Sequence, residues 1–230
     1  MRTNLILVGG IFHDFNASAE ALTELLAPLD ITSRIDTDIE AGLASLARQP
    51  VDLLTINALR WEMLGDKYDP YRDTEALCLS ADARAAICQH LAGGGALLGL
   101  HTASICFSDW PEWQTILGGR WEWGQSWHPA PERIQLTPTD CTLMSGLKDF
   151  DVVDEMYSDL TVNSDADILL LGRSESSASD QPALWRHTYG NARVVYDALG
   201  HDRASLADPG HGEALRRAVS WALDLTGRNV

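Results

Sequence analysis

Short apolar segments alternate with longer amphipathic segments along most of this chain. Leu5–Gly10, Ile31–Ile35 and Val51–Ile56 are strand-sized apolar runs, while Ala17–Leu29 and Ile39–Ala47 have apolar residues at helical spacing. Such an alternation is typical of parallel strands joined by right-handed helical crossovers. The pattern therefore predicts an α/β fold with a mainly parallel sheet that helices cover on both faces.

The rest of the chain continues this pattern with one irregular interruption. Leu59–Thr74 contains Gly65, Pro70 and several charges, and we expect a long loop there that covers part of a pocket. The further predicted elements are a helix at Ser80–Leu91, a buried strand at Ala96–Leu100, a short helix at Pro111–Leu117, strands at Arg133–Leu136 and Asp167–Leu171, a β-hairpin of Ala183–His187 with Ala192–Ala198, and a closing helix at Gly212–Leu225. No linker composition divides the chain, so residues 1–230 are expected to form a single domain.

Composition excludes several classes of partner. The chain has 33 acidic and 17 basic residues, and its formal net charge of -16 repels phosphate backbones and anionic lipid surfaces. No apolar run approaches the roughly 20 residues of a membrane-spanning helix, and no signal-peptide pattern is visible. We therefore expect a cytoplasmic protein with neither nucleic acid nor a membrane as a partner.

Four cysteines without CxxC spacing predict reduced thiols, and Cys106 is expected to pack in the core.

Three histidines follow predicted strands at their carboxyl ends. His13 comes after the first strand, His101 ends the glycine-bounded apolar run, and His201 follows the second strand of the hairpin. The carboxyl ends of parallel strands meet at one edge of a sheet, so these side chains are expected to share a crevice, with Asp14 and Asp202 adjacent to two of them. Imidazoles near carboxylates either bind a divalent metal such as zinc or manganese or move protons near neutral pH, and the spacing leaves both open.

An acidic pair and two glycine runs are the next candidates for chemistry. Asp154-Glu155-Met156-Tyr157 offers a carboxylate and a phenol two residues later, and Glu155 is interpreted as a general base, a metal ligand or a solvated surface charge. Gly9-Gly10 and Gly93–Gly95 match neither GxGxxG nor a phosphate-binding Gly-Lys-Ser/Thr motif, so no nucleotide cofactor is expected.

Tryptophan is concentrated in one segment. Five of the eight tryptophans lie within 18 residues that end at His128-Pro129: Trp110, Trp113, Trp121, Trp123 and Trp127. Aromatic rings with an N–H group suit the mixed surface of a sugar ring. The same residues equally suit a core or a subunit interface, so both interpretations stay open.

Five segments together resemble a known family. They are Gly9-Gly10-Ile11-Phe12-His13-Asp14, Gly94-Gly95-Ala96-Leu97-Leu98-Gly99-Leu100-His101, Gly118-Gly119 to His128-Pro129, Asp154-Glu155-Met156-Tyr157, and Pro182-Ala183-Leu184-Trp185 to Gly200-His201-Asp202. In this order, over about residues 4–225, they resemble the ThuA-like (trehalose utilisation) family, which is similar in fold to class I glutamine amidotransferases. The resemblance implies a flavodoxin-like sheet flanked by helices. His101 stands where those amidotransferases have their cysteine nucleophile, so glutaminase activity is not implied.

The resemblance also implies a role in sugar metabolism, on oxidised (3-keto) glycosides and beside a partner sugar dehydrogenase. The hypothesis is that a histidine removes the proton at C2, next to the keto group, so that the enediolate expels the C1 substituent and hydration completes the cleavage, with or without a divalent metal. The expected site residues are His101, His201, Glu155 and Asp202 as catalytic groups, His13, Asp14, Trp123, Trp127, His128 and Tyr157 as substrate-binding groups, and His13, His101 and His201 as metal ligands.

Two other classes of function remain as alternatives. A non-catalytic sugar- or partner-binding module would use the tryptophan-rich surface without the histidines. A hydrolase would use Ser104, three residues beyond His101, as its nucleophile. In any of these classes the chain is expected to form a homo-oligomer, such as a dimer that buries part of the tryptophan segment.

Overall fold

The structure is a computed structural model that describes residues 1–225, and within them eleven strands and seven α-helices form. The strands are β1 (Arg2–Gly10), β2 (Ile31–Asp36), β3 (Leu53–Leu59), β4 (Ala96–Leu100), β5 (Gly119–Arg120), β6 (Glu132–Pro138), β7 (Phe150–Asp154), β8 (Thr161–Val162), β9 (Asp167–Ser174), β10 (Gln181–Tyr189) and β11 (Ala192–Asp197). The helices are α1 (Phe15–Leu26), α2 (Ile39–Ser45), α3 (Asp69–Glu75), α4 (Ala81–Ala92), α5 (Pro111–Leu117), α6 (Arg203–Ala207) and α7 (Pro209–Ala222).

Nine of the strands form one sheet in the order β2-β1-β3-β4-β11-β10-β9-β6-β7. The first five run parallel to one another. From β11 onwards each strand pairs antiparallel with the next, and β10 with β11 is the predicted hairpin. The predicted α/β class, a helix-flanked sheet built on parallel strands, is confirmed.

Burial explains why the central strands β3 and β4 are mostly apolar. Every residue of β3 and β4 is buried, as expected of strands with helices on both faces. The helices that cover them begin at side-chain caps: Asp14, Asp38 and Ser80 each accept a hydrogen bond from the backbone N–H three residues on. Because β1, β3 and β4 run parallel, the loops that follow β1 and β4 lie at the same edge of the sheet.

Three departures from the sequence pattern have a local explanation. The segment expected to be an irregular loop contains α3, because Pro70 lies in its first turn, where a missing N–H is tolerated. The edge strand β7 was not predicted, since its five residues alternate between exposed and buried positions. Helix α7 begins at Pro209, before the expected Gly212, because the Asp208 carboxylate caps it.

The antiparallel half of the sheet curls back towards the parallel half. Four strand spacings separate β11 from β7 in the sheet order, which would be roughly 19 Å in a flat sheet. The carboxylate of Asp154, at the end of β7, nevertheless accepts a hydrogen bond from the Gly200 N–H at 2.8 Å, just beyond β11. The coiling of a twisted sheet therefore brings the end of β7 to the carboxyl edge of the parallel strands.

Cys106 is buried in the core, as the sequence predicts. The four cysteines are free thiols, and the Cys106 thiol donates to the Ala58 carbonyl oxygen at 2.9 Å. Burial raises the pKa of Cys106 to about 12, which suits packing and not nucleophilic attack. Within residues 1–225, the helices are all too short or too polar to cross a lipid bilayer.

Candidate metal centre and active site

The three histidines that follow β1, β4 and β11 lie together in one cluster. The ring centroids of His13 and His201 are 4.7 Å apart, those of His13 and His101 5.1 Å, and those of His101 and His201 5.7 Å. The crevice expected from the convergence of strand ends is therefore present, and the curled edge strand β7 adds Glu155 to it.

Glu155 lies at the centre of the cluster, with one carboxylate oxygen facing four imidazole rings. Its Oε2 is 3.3 Å from His101 Nε2, 3.4 Å from His201 Nδ1, 3.4 Å from His128 Nδ1 and 3.7 Å from His13 Nε2. All four distances exceed the usual length of an N–H···O hydrogen bond. The ring nitrogens therefore surround the oxygen without being bonded to it.

Unusual backbone conformations hold the histidines at the strand ends. His101 has a φ of 48°, and its carbonyl oxygen accepts a hydrogen bond from the Tyr196 hydroxyl at 2.6 Å. Gly10, before His13, has a φ of 126°, and a Cβ there would lie 2.4 Å from the Leu59 carbonyl oxygen. Only glycine fits this turn, which directs the chain from β1 into the cluster.

Asp154 connects the two chain segments that supply Glu155 and His201. Its Oδ1 accepts from the Glu155 backbone N–H at 2.7 Å, and its Oδ2 accepts from the Gly200 N–H at 2.8 Å. The side chain is fully buried. Asp154 therefore positions the carboxylate and one imidazole with respect to each other without entering the cluster.

The tautomers of two histidines follow from their carbonyl partners. His101 Nδ1 lies 2.7 Å from the Ala198 carbonyl oxygen, and His13 Nδ1 lies 3.3 Å from that of Ile11. A carbonyl only accepts hydrogen bonds, so Nδ1 carries the proton in both rings. In the neutral rings, each Nε2 therefore directs a lone pair towards Glu155.

These atoms fit a divalent cation. Among residues 1–225, four buried atoms without a hydrogen-bond partner lie within 4.8 Å of one another: His13 Nε2, His101 Nε2, His201 Nδ1 and Glu155 Oε2. Lone pairs directed at a carboxylate oxygen are unfavourable unless a positive charge lies between them. Three imidazoles and one carboxylate form a donor set suited to zinc and to other first-row divalent metals.

The charges in the cluster are strongly coupled. Burial disfavours the charged form of Glu155, but the rings of His101, His13 and His201 outweigh this effect and hold the pKa of the carboxyl well below its usual range. Conversely, the Glu155 carboxylate raises the pKa of His201. The carboxylate is thus ionised at neutral pH and available as a ligand.

Tyr157 and His128 form one wall of the cluster. The Tyr157 ring is buried and packs against His101 and His128, with centroids 4.5 Å and 5.3 Å away. Burial raises the pKa of Tyr157 well above its usual value, so the phenol stays protonated. His128 is partly exposed, and its Nδ1 donates to the Pro129 carbonyl oxygen at 2.9 Å. In the neutral ring this bond leaves the lone pair on Nε2.

The two other predicted carboxylates are engaged elsewhere. Asp14 accepts from the Ala17 N–H and caps α1, while Asp202 accepts from the Ser205 N–H and caps α6. Their side chains serve helix termini, and Glu155 is the carboxylate of the cluster. Asp202 affects the site through its charge, which contributes to the raised pKa of His201.

The tryptophan segment divides between core and surface. Trp110 and Trp113 are buried, whereas Trp123 and Trp127 are exposed. Trp121 lies between these groups and contacts the His128 and Tyr157 rings, with centroids 5.9 Å and 5.1 Å away. Trp127, directly before His128, donates from Nε1 to the Asp159 carboxylate at 3.0 Å.

Ser104 does not have the surroundings of a nucleophile. Its hydroxyl is buried and donates to the Tyr196 hydroxyl oxygen at 2.9 Å, since the single Tyr196 proton goes to the His101 carbonyl. Among residues 1–225, no histidine is hydrogen-bonded to it. A serine nucleophile requires an adjacent base, so this geometry gives no support to the Ser104 alternative.

Sequence reasoning missed the role of Asp154 and the contact of His128 with Glu155. The signal available for Asp154 was its place in an acidic stretch, directly before Glu155. For His128 the signal was its position before Pro129 at the end of the tryptophan segment. Neither signal reveals a contact that depends on how the sheet curls.

Fold and site together define an α/β protein with a histidine–carboxylate cluster at the carboxyl edge of its parallel strands. The sequence matches the ThuA family, described as trehalose utilisation, over residues 9–222, and the chain belongs to that family. A search of curated proteins gives no match.

Solved structures show the same fold at low sequence identity. A ThuA-like protein from Parabacteroides merdae is 19% identical, with a TM-score of 0.77 over 100% of this chain and 92% of its own. A ThuA-like protein from Bacteroides uniformis is 19% identical, with a TM-score of 0.69 over 96% of this chain and 91% of its own. The carbohydrate deacetylase Agd3 is 12% identical, with a TM-score of 0.63 over 97% of this chain but 32% of its own.

Proposed function

We propose that this protein is an enzyme of carbohydrate metabolism that cleaves oxidised (3-keto) glycosides at a divalent metal site formed by His13, His101, His201 and Glu155. The observation that carries the proposal is the set of four buried, unpartnered ligand atoms within 4.8 Å of one another. Membership of a family described as trehalose utilisation supports the substrate class.

The reaction begins with removal of a proton from C2, which the neighbouring keto group makes acidic. A divalent cation, when bound, supplies a Lewis acid that stabilises negative charge on the keto oxygen. The proposed base is His128, because the Pro129 carbonyl holds its Nδ1–H, which in the neutral ring leaves the lone pair on Nε2 of a side chain that is 37% exposed.

The remaining steps return the proton and complete the cleavage. The electrons of the C2–H bond first form the enediolate. A lone pair on the C3 oxygen then re-forms the keto group, the C2–C3 π electrons form a C1–C2 double bond, and the C1–O bond breaks with its electrons leaving on the departing oxygen. His128 returns its proton to the departing oxygen, and addition of water across C1–C2 gives the free 3-keto sugar. Tyr157, packed between His101 and His128, keeps both rings in place.

Metal content tests the site directly. We expect about one zinc or manganese per chain in tag-free protein purified without chelators, measured by plasma mass spectrometry, and none in the His101→Ala/His201→Ala double variant. His90→Gln, which alters a helix histidine outside the cluster, should retain the metal. Absence of metal from the wild type after supplementation would refute the metal site.

Deuterium exchange tests the proton transfer separately from overall turnover. A 3-keto disaccharide incubated with the enzyme in D₂O should acquire deuterium at C2, and His128→Gln should slow this exchange by about 10²-fold or more while metal content stays unchanged. Exchange at the wild-type rate in His128→Gln would assign the base to another residue.

A binding module without catalysis is the second candidate, and the exposed Trp123 and Trp127 side chains favour it. It predicts that the histidine variants keep full ligand affinity and that Trp123→Ala loses it. The catalytic proposal instead requires a reaction that oxidises the glycoside at C3, which is the chemistry of a sugar dehydrogenase. The expected homo-oligomer stays a prediction, which sedimentation analysis tests.

A further inference from the structure

A row of aromatic rings runs beside the histidine cluster from the loop after β1 to the tryptophan segment. We call it the aromatic arc, and it consists of Phe12, Tyr71, Tyr68, Trp61, Trp123 and Trp121. Phe12 contacts Tyr71 with ring centroids 5.6 Å apart, and Tyr68 contacts Trp61 at 4.9 Å. Trp61 contacts Trp123 at 6.2 Å, and Trp123 contacts Trp121 at 6.4 Å. These contacts form two groups of rings, which the backbone from Tyr68 to Tyr71 at the start of α3 links.

The tryptophan end of the aromatic arc contacts the cluster, and the Phe12 end adjoins the cluster along the chain. Phe12 immediately precedes His13, and Trp121 contacts the His128 ring with centroids 5.9 Å apart. The arc is therefore continuous with the proposed reaction centre and begins beside the residue assigned to proton transfer.

The arc combines a buried support with an exposed face. Trp61 and Tyr68 are buried, whereas Phe12 is 64% exposed, Trp123 50% and Tyr71 37%. Phe12 also has a φ of 71°, an uncommon conformation for a bulky residue. Exposed aromatic residues grouped beside a polar site are typical of ligand-binding surfaces.

We propose that the aromatic arc binds the leaving group of the glycoside, and hence that the substrate carries a second, uncharged ring at C1. This inference rests on the proposed function for placing the reacting sugar at the histidine cluster. The leaving group is attached at C1, next to the C2 position from which His128 takes the proton, and Trp121 extends the site from His128 towards Trp123. Ring faces suit the C–H face of a sugar or an aromatic aglycone. The acidic chain disfavours an anionic one.

Binding of stable glycosides tests the arc without requiring turnover. We expect phenyl glucoside to bind the metal-loaded wild-type protein about tenfold more tightly than methyl glucoside in calorimetric titrations, because stacking adds about that much affinity. Trp123→Ala and Phe12→Ala should each reduce this preference, and their exposed side chains make both variants compatible with folding. Trp221→Ala, on α7 outside the arc, is the matched control and should keep the preference.

The outcomes separate the arc from the reaction. Equal affinity for the two glycosides, no measurable binding of phenyl glucoside, or a preference that survives both arc variants overturns the inference. A protein that prefers phenyl glucoside through Trp123 and Phe12 but does not turn over 3-keto glycosides supports the arc and refutes the proposed reaction. A protein that turns over 3-keto glycosides but does not prefer phenyl glucoside supports the proposed reaction and refutes the arc.

Discussion

Glu155 shows how much of the site depends on a single side chain. One of its oxygens faces four imidazoles at 3.3–3.7 Å, so its negative charge is the main compensation for any positive charge that the cluster holds. A neutral residue of the same shape would leave the rings in place and remove that compensation.

Glu155→Gln is therefore expected to lose metal while remaining folded. Because the substitution replaces an anionic ligand by a neutral amide, metal affinity should fall by about 100-fold or more, as measured by competition with a chromogenic chelator. Glu24→Gln removes an exposed carboxylate paired with Arg203 and should bind metal like the wild type. Equal affinity of the Glu155 variant and the wild type would contradict the ligand role.

Asp154→Asn tests the side chain that positions Glu155 and His201. The Asp154 carboxylate accepts hydrogen bonds from the backbone N–H groups of Glu155, Gly200 and, at 3.4 Å, His201, and an amide would oppose at least one of them with its own NH₂ group. The free energy of unfolding should fall by about 1–3 kcal/mol in urea titrations. Metal affinity should fall in parallel, whereas a purely structural role would change stability alone.

At the scale of elements, a buried ion pair holds the chain segment between β11 and α7. His211, at the start of α7, lies with its Nε2 2.8 Å from Asp197 Oδ2 at the end of β11. Its Nδ1 is 2.9 Å from the Ser205 carbonyl oxygen. The pair anchors both ends of the segment that contains His201.

This ion pair makes stability depend on pH. Burial lowers the pKa of His211, but Asp197 outweighs it and raises the pKa to about 9, compared with about 6.5 in the unfolded chain. The contribution of the pair is therefore complete below about pH 6.5 and is lost as the pH rises through about 9. The difference in unfolding free energy between the wild type and His211→Gln should be about 1.5–3 kcal/mol at pH 6 and smaller at pH 9.5. A constant difference would argue against a charged His211.

Elements also explain how far the sequence could predict the fold and the site. Strands β1, β3 and β4 are apolar runs next to amphipathic helices, so local periodicity identifies them and places His13 and His101 at one edge. Strand β7 is short, lies at the sheet edge and alternates in burial, and its approach to β11 depends on the curvature of four intervening pairings. No local pattern encodes that curvature, so Glu155 could be named as a candidate but not placed among the histidines.

At the scale of the whole molecule, the cluster joins the two halves of the sheet. His13, His101 and His201 follow strands of the parallel half, and Glu155 follows the last strand of the antiparallel half. A cation bound by all four would therefore add a connection between the two halves, beside the β10–β11 pairing and the Asp154 hydrogen bonds.

Metal removal should consequently destabilise the wild-type fold. Because a ligand that binds only the folded state stabilises it by mass action, a free metal concentration 100 times the dissociation constant adds about 2.7 kcal/mol. Thermal unfolding followed by circular dichroism should show a lower Tm after dialysis against a chelator and recovery on adding zinc or manganese. The His101→Ala/His201→Ala variant should show the same Tm under all three conditions.

The separation of the four ligands along the chain determines when an ion can be acquired during synthesis. His13 emerges from the ribosome long before Glu155, and Glu155 well before His201, so a growing chain offers an incomplete donor set for most of its synthesis. If the proposed site binds an ion, discrimination among the metals of the cell falls to the folded protein, because only the folded chain brings all four donor atoms together.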